Sequence, residues 1–158
     1  MKRGTFLLIM LTSAMIFMGA KKPETLQYDI ECAGNGSQGN YLVKVWVYTK
    51  NKKVNVDDLR RYAVHGVIFR GYAGKQECIQ QRPLAGSPAI EQQQADFFNA
   101  FFYNDRAYAR YATEVGGSVE SIKVGKTYKH GATVSVAKDM LRQDLEKAGI
   151  IRGLNNGF

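Results

Sequence analysis

Apolar residues follow two repeating patterns along this chain, and the change from one to the other marks out its elements. Residues 26–32 set Leu26, Tyr28 and Ile30 against Gln27, Asp29 and Glu31, the every-second-residue alternation of a half-buried strand. Residues 41–49 repeat it, with Val43, Val45 and Val47 on one side and Leu42, Lys44, Trp46 and Tyr48 on the other. Both sides are largely apolar, so this segment reads as a central strand covered on both faces. The glycine-rich stretch at residues 33–40 reads as a long hairpin connection. It has neither the Lys-Ser/Thr ending of a phosphate-binding loop nor the G-x-G-x-x-G spacing of a dinucleotide site.

Helical spacing comes next. Asn55 suits a helix cap, and Asp57 and Asp58 suit the positive end of a helix. Leu59, Tyr62 and Ala63 form an inner stripe and Gly66 reads as the stop. Residues 67–72 then read as a short strand, although the continuously apolar run over residues 62–69 fits either state. Residues 73–86 lack periodicity and hold Gly74, Cys78, Pro83 and Gly86; irregular segments of this kind often carry function. The keystone of the core follows. Ser87 caps and Pro88 opens a helix on which Ile90, Phe97, Phe98, Phe101 and Phe102 share one face. A packed core helix explains this cluster, with a cofactor or lipid groove as the sharper alternative. Residues 106–112 add a further turn.

After a break at Gly116-Gly117, residues 119–126 and 132–137 read as a hairpin with Lys129-His130-Gly131 at its tip. Residues 138–148 read as a helix with the stripe Met140, Leu141, Leu145 and Ala148, closed by Gly149. The order β-β-α-β-α-β-β-α predicts a single α+β domain. It would hold a mostly antiparallel sheet of about five strands with two or three helices packed on it.

The N-terminus changes this picture by removing residues 1–20 from it. Lys2 and Arg3 precede an apolar run over residues 6–18, and a cleavage site follows at Ala20, the pattern of a secretory leader. The run is too short for a membrane span, and no Cys follows it to carry a lipid. The expected mature chain is residues 21–158, one domain with short flexible termini, in the periplasm of a bacterium or outside the cell. The formal charge of +8 becomes +6 without Lys2 and Arg3. That excess favours anionic partners, but the cations are scattered and give no specific nucleic-acid signature. Cys32 and Cys78 are expected to pair in an oxidising compartment, two separate buried thiols being the alternative. Two Cys and two His without C-x-x-C or H-x-x-x-H spacing predict no metal site, and nothing predicts a cofactor.

Candidate chemistry is sparse. No G-x-S-x-G elbow is present. The catalytic candidates are His65 and His130, as base and acid of a small basic nuclease-like hydrolase, with Lys129 or Arg70 stabilising a phosphate. Against this, His65 sits in the apolar run Ala63-Val64-His65-Gly66, where a structural histidine is usual, and His130 sits at the expected hairpin tip. Glu91 and Asp96 offer carboxylates for glycan cleavage, yet acids near a helix N-terminus have an ordinary explanation in the helix dipole.

Four segments carry a resemblance: Ala63-Val64-His65-Gly66-Val67-Ile68-Phe69-Arg70-Gly71, Arg82-Pro83-Leu84-Ala85-Gly86, Ala95-Asp96-Phe97-Phe98, and residues 141–150 from Leu141 to Ile150. With them the mature chain resembles small exported proteins of Bacteroidetes-type bacteria, which implies a compartment and no mechanism. A hairpin followed by a helix ending in Ala148-Gly149-Ile150 is also similar to the α/β modules of envelope-assembly lipoproteins, whose lipid-bearing Cys this chain lacks. The expected function is a non-enzymatic binding module of the cell envelope. It would act through residues 73–86 and the cations Arg70, Lys75 and Arg82, and its partner would be another envelope protein or an anionic envelope component. The alternatives are the hydrolase using His65 and His130, and a polyanion or glycan binder whose affinity would fall steeply with salt.

Overall fold

Strand β2 (Tyr41–Thr49) pairs along both of its edges, and the sheet is built outward from it. A computed structural model describes residues 27–75 and 78–153; the expected leader over residues 1–20 lies outside the described residues. β1 (Tyr28–Gly34) flanks β2 on one side and β4 (Thr127–Val136) on the other, with β3 (Ala112–Val124) beyond β4. All three pairings are antiparallel. The helices are α1 (Val56–Phe69), α2 (Ala89–Gln93), α3 (Ala95–Asn99) and α4 (Lys138–Lys147). A π-helical turn (Ala100–Asn104) and a 3₁₀ turn (Ala107–Tyr111) join α3 to β3. This is the α+β domain that the hydrophobic pattern predicts.

The core lies on one face of the sheet. Val43, Val45 and Val47 of β2 and Ala132, Val134 and Val136 of β4 are buried together with Leu59, Ala63, Val64, Val67 and Ile68 of α1 and with Phe98, Phe101 and Phe102. Each large side chain buried there stabilises the fold by about 1.5–3 kcal/mol. The aromatic segment is therefore mainly core. It is not one helix, however: Gln94 leaves helical geometry (φ −115°, ψ 36°) and divides α2 from α3.

Further expectations need correcting. The first concerns Gly66, which does not stop α1. A Cβ there would lie 2.6 Å from Ile30 Cδ1, so this glycine lets β1 approach the helix. The helix continues to Phe69, and residues 67–69 are helical instead of extended. The stop is Gly71 (φ +65°), where the Arg70 and Gly71 N–H groups donate to the Gly66 carbonyl at 2.9 and 2.8 Å. Second, among the described residues helices cover β2 on its valine face only. On the other face Trp46 is 8% exposed because it lies on Gly131, whose Cβ would come within 2.3 Å of the indole. Lys44 and Lys129 hold their ammonium groups 4.5 and 4.3 Å from the indole centroid. Third, Gly116-Gly117 does not separate elements. It is a bulge inside β3, where the register against β4 shifts between Val115 and Glu120. Fourth, the hairpin turns at Gly125 and Lys126, so His130 lies within β4 and is fully buried. In α4 the buried stripe is Leu141 and Leu145, while Met140 is exposed.

Asn55 caps α1 as expected, its side chain accepting from the Asp57 N–H at 3.0 Å. Asp57 then ties α1 to the 3₁₀ turn. Burial alone would push its carboxyl up. Hydrogen bonds from Tyr108 (2.5 Å) and Arg106, with the guanidiniums of Arg106 and Arg60, outweigh burial and hold it below its ordinary value. A carboxyl depressed in the folded state stabilises at pH above its unfolded value of about 3.9, and that contribution is lost as pH falls through the folded value. Asp57→Asn should therefore destabilise the protein at neutral pH, with the gap from wild type closing as pH drops below about 4. Urea unfolding of both proteins across that range measures it; a gap independent of pH would refute the assignment.

Candidate binding cleft

Strand register creates the site. Tyr41, the first residue of β2, lies opposite Val136, the last of β4, so the chain leaving β4 starts α4 beside Tyr41. The Asp139 N–H donates to the Gly39 carbonyl at 3.2 Å and fixes that start. The third wall is the segment after Gly71. Tyr72 and Gln81 exchange backbone hydrogen bonds at 3.0 Å, and the N–H groups of Leu84 and Ala85 reach the carbonyls of Val67 and Ile68. The Cys32–Cys78 disulfide ties the same segment to β1, the pairing expected from the sequence. The Tyr41 hydroxyl donates to Gln81 Oε1 at 2.7 Å and joins two walls.

The result is a cleft of about 370 Å³ lined by Tyr41, Gln80, Gln81, Arg82, Pro83, Leu84, Lys138, Asp139 and Arg142. Its volume falls in the range of about 300–1,000 Å³ usual for small-molecule sites. Three cations and one carboxylate line it. Lys138 pairs with Asp139 at 2.5 Å and lies 5.3 Å from the Tyr41 ring centroid. Arg142 pairs with Glu146 at 3.0 Å. Arg82 is exposed and makes no hydrogen bond or ion pair with the other described residues. An exposed pair such as Lys138–Asp139 contributes about 0–1 kcal/mol, so Lys138 can turn toward a ligand at small cost, whereas Arg142 and Glu146 are both about three-quarters buried.

Of the cations singled out in the sequence, only Arg82 reaches this cleft. Arg70 stacks 3.8 Å from the Tyr28 ring centroid and donates to the Tyr28 carbonyl at 2.5 Å, so it clamps β1 to the end of α1. Lys75 is engaged through its backbone, whose N–H and carbonyl both bond to Cys78. Tyr41, Lys138 and Arg142 were not singled out. The spacing of Lys138 and Arg142, one helical turn apart, was the available signal.

The two histidines belong to separate networks. His65 is buried, with Nδ1 2.5 Å from the Tyr28 hydroxyl and Nε2 2.8 Å from Glu91 Oε1. The tautomer that serves both accepts from Tyr28 and donates to Glu91. Burial pushes the Tyr28 phenol well above its ordinary range, with Arg70 opposing and Glu91 adding to the rise. His130 donates from Nε2 to the Asn51 carbonyl (2.9 Å), which leaves Nδ1 to accept from the Ser121 hydroxyl (2.7 Å). Every ring nitrogen is thus engaged inside the fold, and the two histidines share no hydrogen-bond partner. Lys129 sits over Trp46 on the opposite face of the sheet from His130.

A second cleft, of about 230 Å³, lies beside Phe97 and Phe101 and is bordered by Asp105, Arg110, Tyr111 and Asp144. Arg110 and the Tyr111 hydroxyl both donate to Asp144, at 3.3 and 2.9 Å, across its rim. Among the described residues no cluster of His, Cys, Asp and Glu is arranged to hold a metal ion, and no helix is long and apolar enough to cross a membrane. Comparisons with family models, with curated proteins and with solved structures find no match to this chain.

Proposed function

We propose that this chain is a non-enzymatic binding module exported to the bacterial cell envelope, and that it engages its partner through the face formed by residues 78–86 and the start of α4. The observation that carries this reading is Arg82, exposed and without a partner among the described residues, in the lining of a polar cleft that also holds Lys138 and Arg142. Arginine left free beside an open cleft is suited to a carboxylate or phosphate from outside, because its planar fork matches their geometry. The disulfide fits an oxidising compartment and hence export to the periplasm or beyond. The partner is another envelope protein or an anionic envelope component.

In-cell crosslinking of the tagged protein, followed by mass spectrometry, tests this directly. Wild type should capture a reproducible envelope partner, and Arg82→Ala together with Arg142→Ala should reduce that capture at least several-fold. Equal capture by the wild type and the double variant would remove the cleft from consideration.

A small hydrolase is the second reading, and one observation favours it. Ser121 is exposed, its hydroxyl bonds His130, and the Asn51 carbonyl orients that ring, which is the chain of contacts an activated serine requires. It ranks second because neither of the two clefts described above is lined by Ser121 or His130. Hydrolase activity that survives replacement of both His65 and His130 would end it.

A further inference from the structure

We infer that the cleft takes one sugar residue bearing a carboxylate or phosphate, an inference that rests on the binding reading above. Its lining combines two kinds of chemistry. Arg82 and Arg142 are fork-shaped donors with no acceptor atoms, and Lys138 adds a third cation, so these groups select a compact anion. Asp139 is acceptor-only when ionised and lies in the same cleft. It would repel a second anionic group but receive hydroxyl donors. Gln80 offers an amide with both donor and acceptor atoms and makes no side-chain hydrogen bond with the described residues. Gln81 is held in place by Tyr41. Pro83 and Leu84 supply a short apolar wall of the kind the C–H face of a sugar ring covers. A bare anion would satisfy the cations and leave Asp139 and Gln80 unused. A neutral sugar would leave Arg82 without its counter-charge. A ligand that carries both an anion and hydroxyls uses both sets of groups.

The test is amide chemical-shift mapping on the full mature protein, titrated with glucuronate, glucose 6-phosphate, glucose and inorganic phosphate. Both sugar acids should give saturating shifts at Gln80, Gln81, Arg82 and residues 138–142, and the stronger of the two identifies carboxylate or phosphate as the preferred group. Glucose should bind about ten-fold more weakly or not at all, the usual consequence of losing a charged hydrogen bond. Arg82→Ala should weaken both sugar acids about ten-fold, with Arg82→Lys recovering part of the loss. Asp139→Asn should weaken the sugar acids while leaving inorganic phosphate equal or tighter. Absence of saturating shifts with both sugar acids would overturn the inference, as would inorganic phosphate binding as tightly as glucose 6-phosphate. If the sugar acids fail while the cleft arginines still control partner capture, only this inference falls. If those arginines affect neither measurement, the binding reading falls with it.

Discussion

Replacing Gly71 with alanine is expected to destabilise the protein by about 2–5 kcal/mol and to dislodge the wall of the cleft that carries Arg82. Two costs act together. Gly71 has φ +65°, and an L-residue in the left-handed region costs about 1–2 kcal/mol. A Cβ at this position would also lie 2.1 Å from the Gln81 carbonyl oxygen and 3.0 Å from Arg82 C and Pro83 N. These are backbone atoms, so no side-chain rotation relieves the contact, and overpacking of this kind adds about 1–3 kcal/mol. The chain has to move where Tyr72 and Gln81 exchange hydrogen bonds and where Leu84 and Ala85 bond to α1. Gly86→Ala is the matched control. Its φ is +71°, yet nothing lies within 4 Å of the added Cβ, so only the conformational cost applies. Urea unfolding should separate the two variants by at least about 1 kcal/mol, and hydrogen exchange should accelerate across residues 72–85 in Gly71→Ala alone. Equal effects of the two substitutions would show that the close approach at Gly71 does not hold the loop.

How much of this was legible depends on the range of the physics involved. Local patterns carried far. The alternation of Val43, Val45 and Val47 identified the core face of β2, Asn55 identified the start of α1, and the phenylalanines identified the buried aromatic segment. Each depends only on neighbours within a turn or a pleat. Gly66 and Gly71 show where such reasoning stops. Both are glycines at the end of the same apolar run, and their roles differ because Ile30 of a distant strand leaves no room at Gly66. The histidines show it again. The partners of His130, at Ser121 and Asn51, follow from a turn placed at Gly125 and Lys126 and from the β3–β4 register, neither of which the local pattern supplies. For the cleft, an unpartnered Arg82 is invisible in the sequence because Arg70, twelve positions earlier, looks the same there and is captured by Tyr28. Lys138 and Arg142 were readable as a pair on one helix face. That they oppose residues 80–84 is a consequence of Tyr41 pairing with Val136, a contact between segments far apart in the chain.

Removing the disulfide should have the largest effect on stability and a small one on the native geometry. Cys32 and Cys78 are 46 residues apart, and closing a loop of that size restricts the unfolded chain enough to stabilise the native state by about 4 kcal/mol in the chain-entropy description. The double variant Cys32→Ser/Cys78→Ser should therefore melt about 10–15 °C below wild type. Its cleft should remain assembled under native conditions, because contacts that do not involve sulfur also hold the loop: the Tyr72–Gln81 pair, the Leu84 and Ala85 bonds to α1, and the Tyr41–Gln81 hydrogen bond. Thermal melts and amide spectra of the double variant, beside a thiol count on the unreduced wild type, separate these contributions. The expected outcome is no free thiol in wild type, a large drop in melting temperature, and shift changes confined to the neighbourhood of residues 32 and 78. A native-like melting temperature would mean that the bond adds little to stability. Shifts spreading to Gln81, Arg82 and the start of α4 would mean that the sulfur bridge, more than the backbone contacts, holds the cleft wall in place. Anion binding would then depend on the redox state of the compartment in which the protein works.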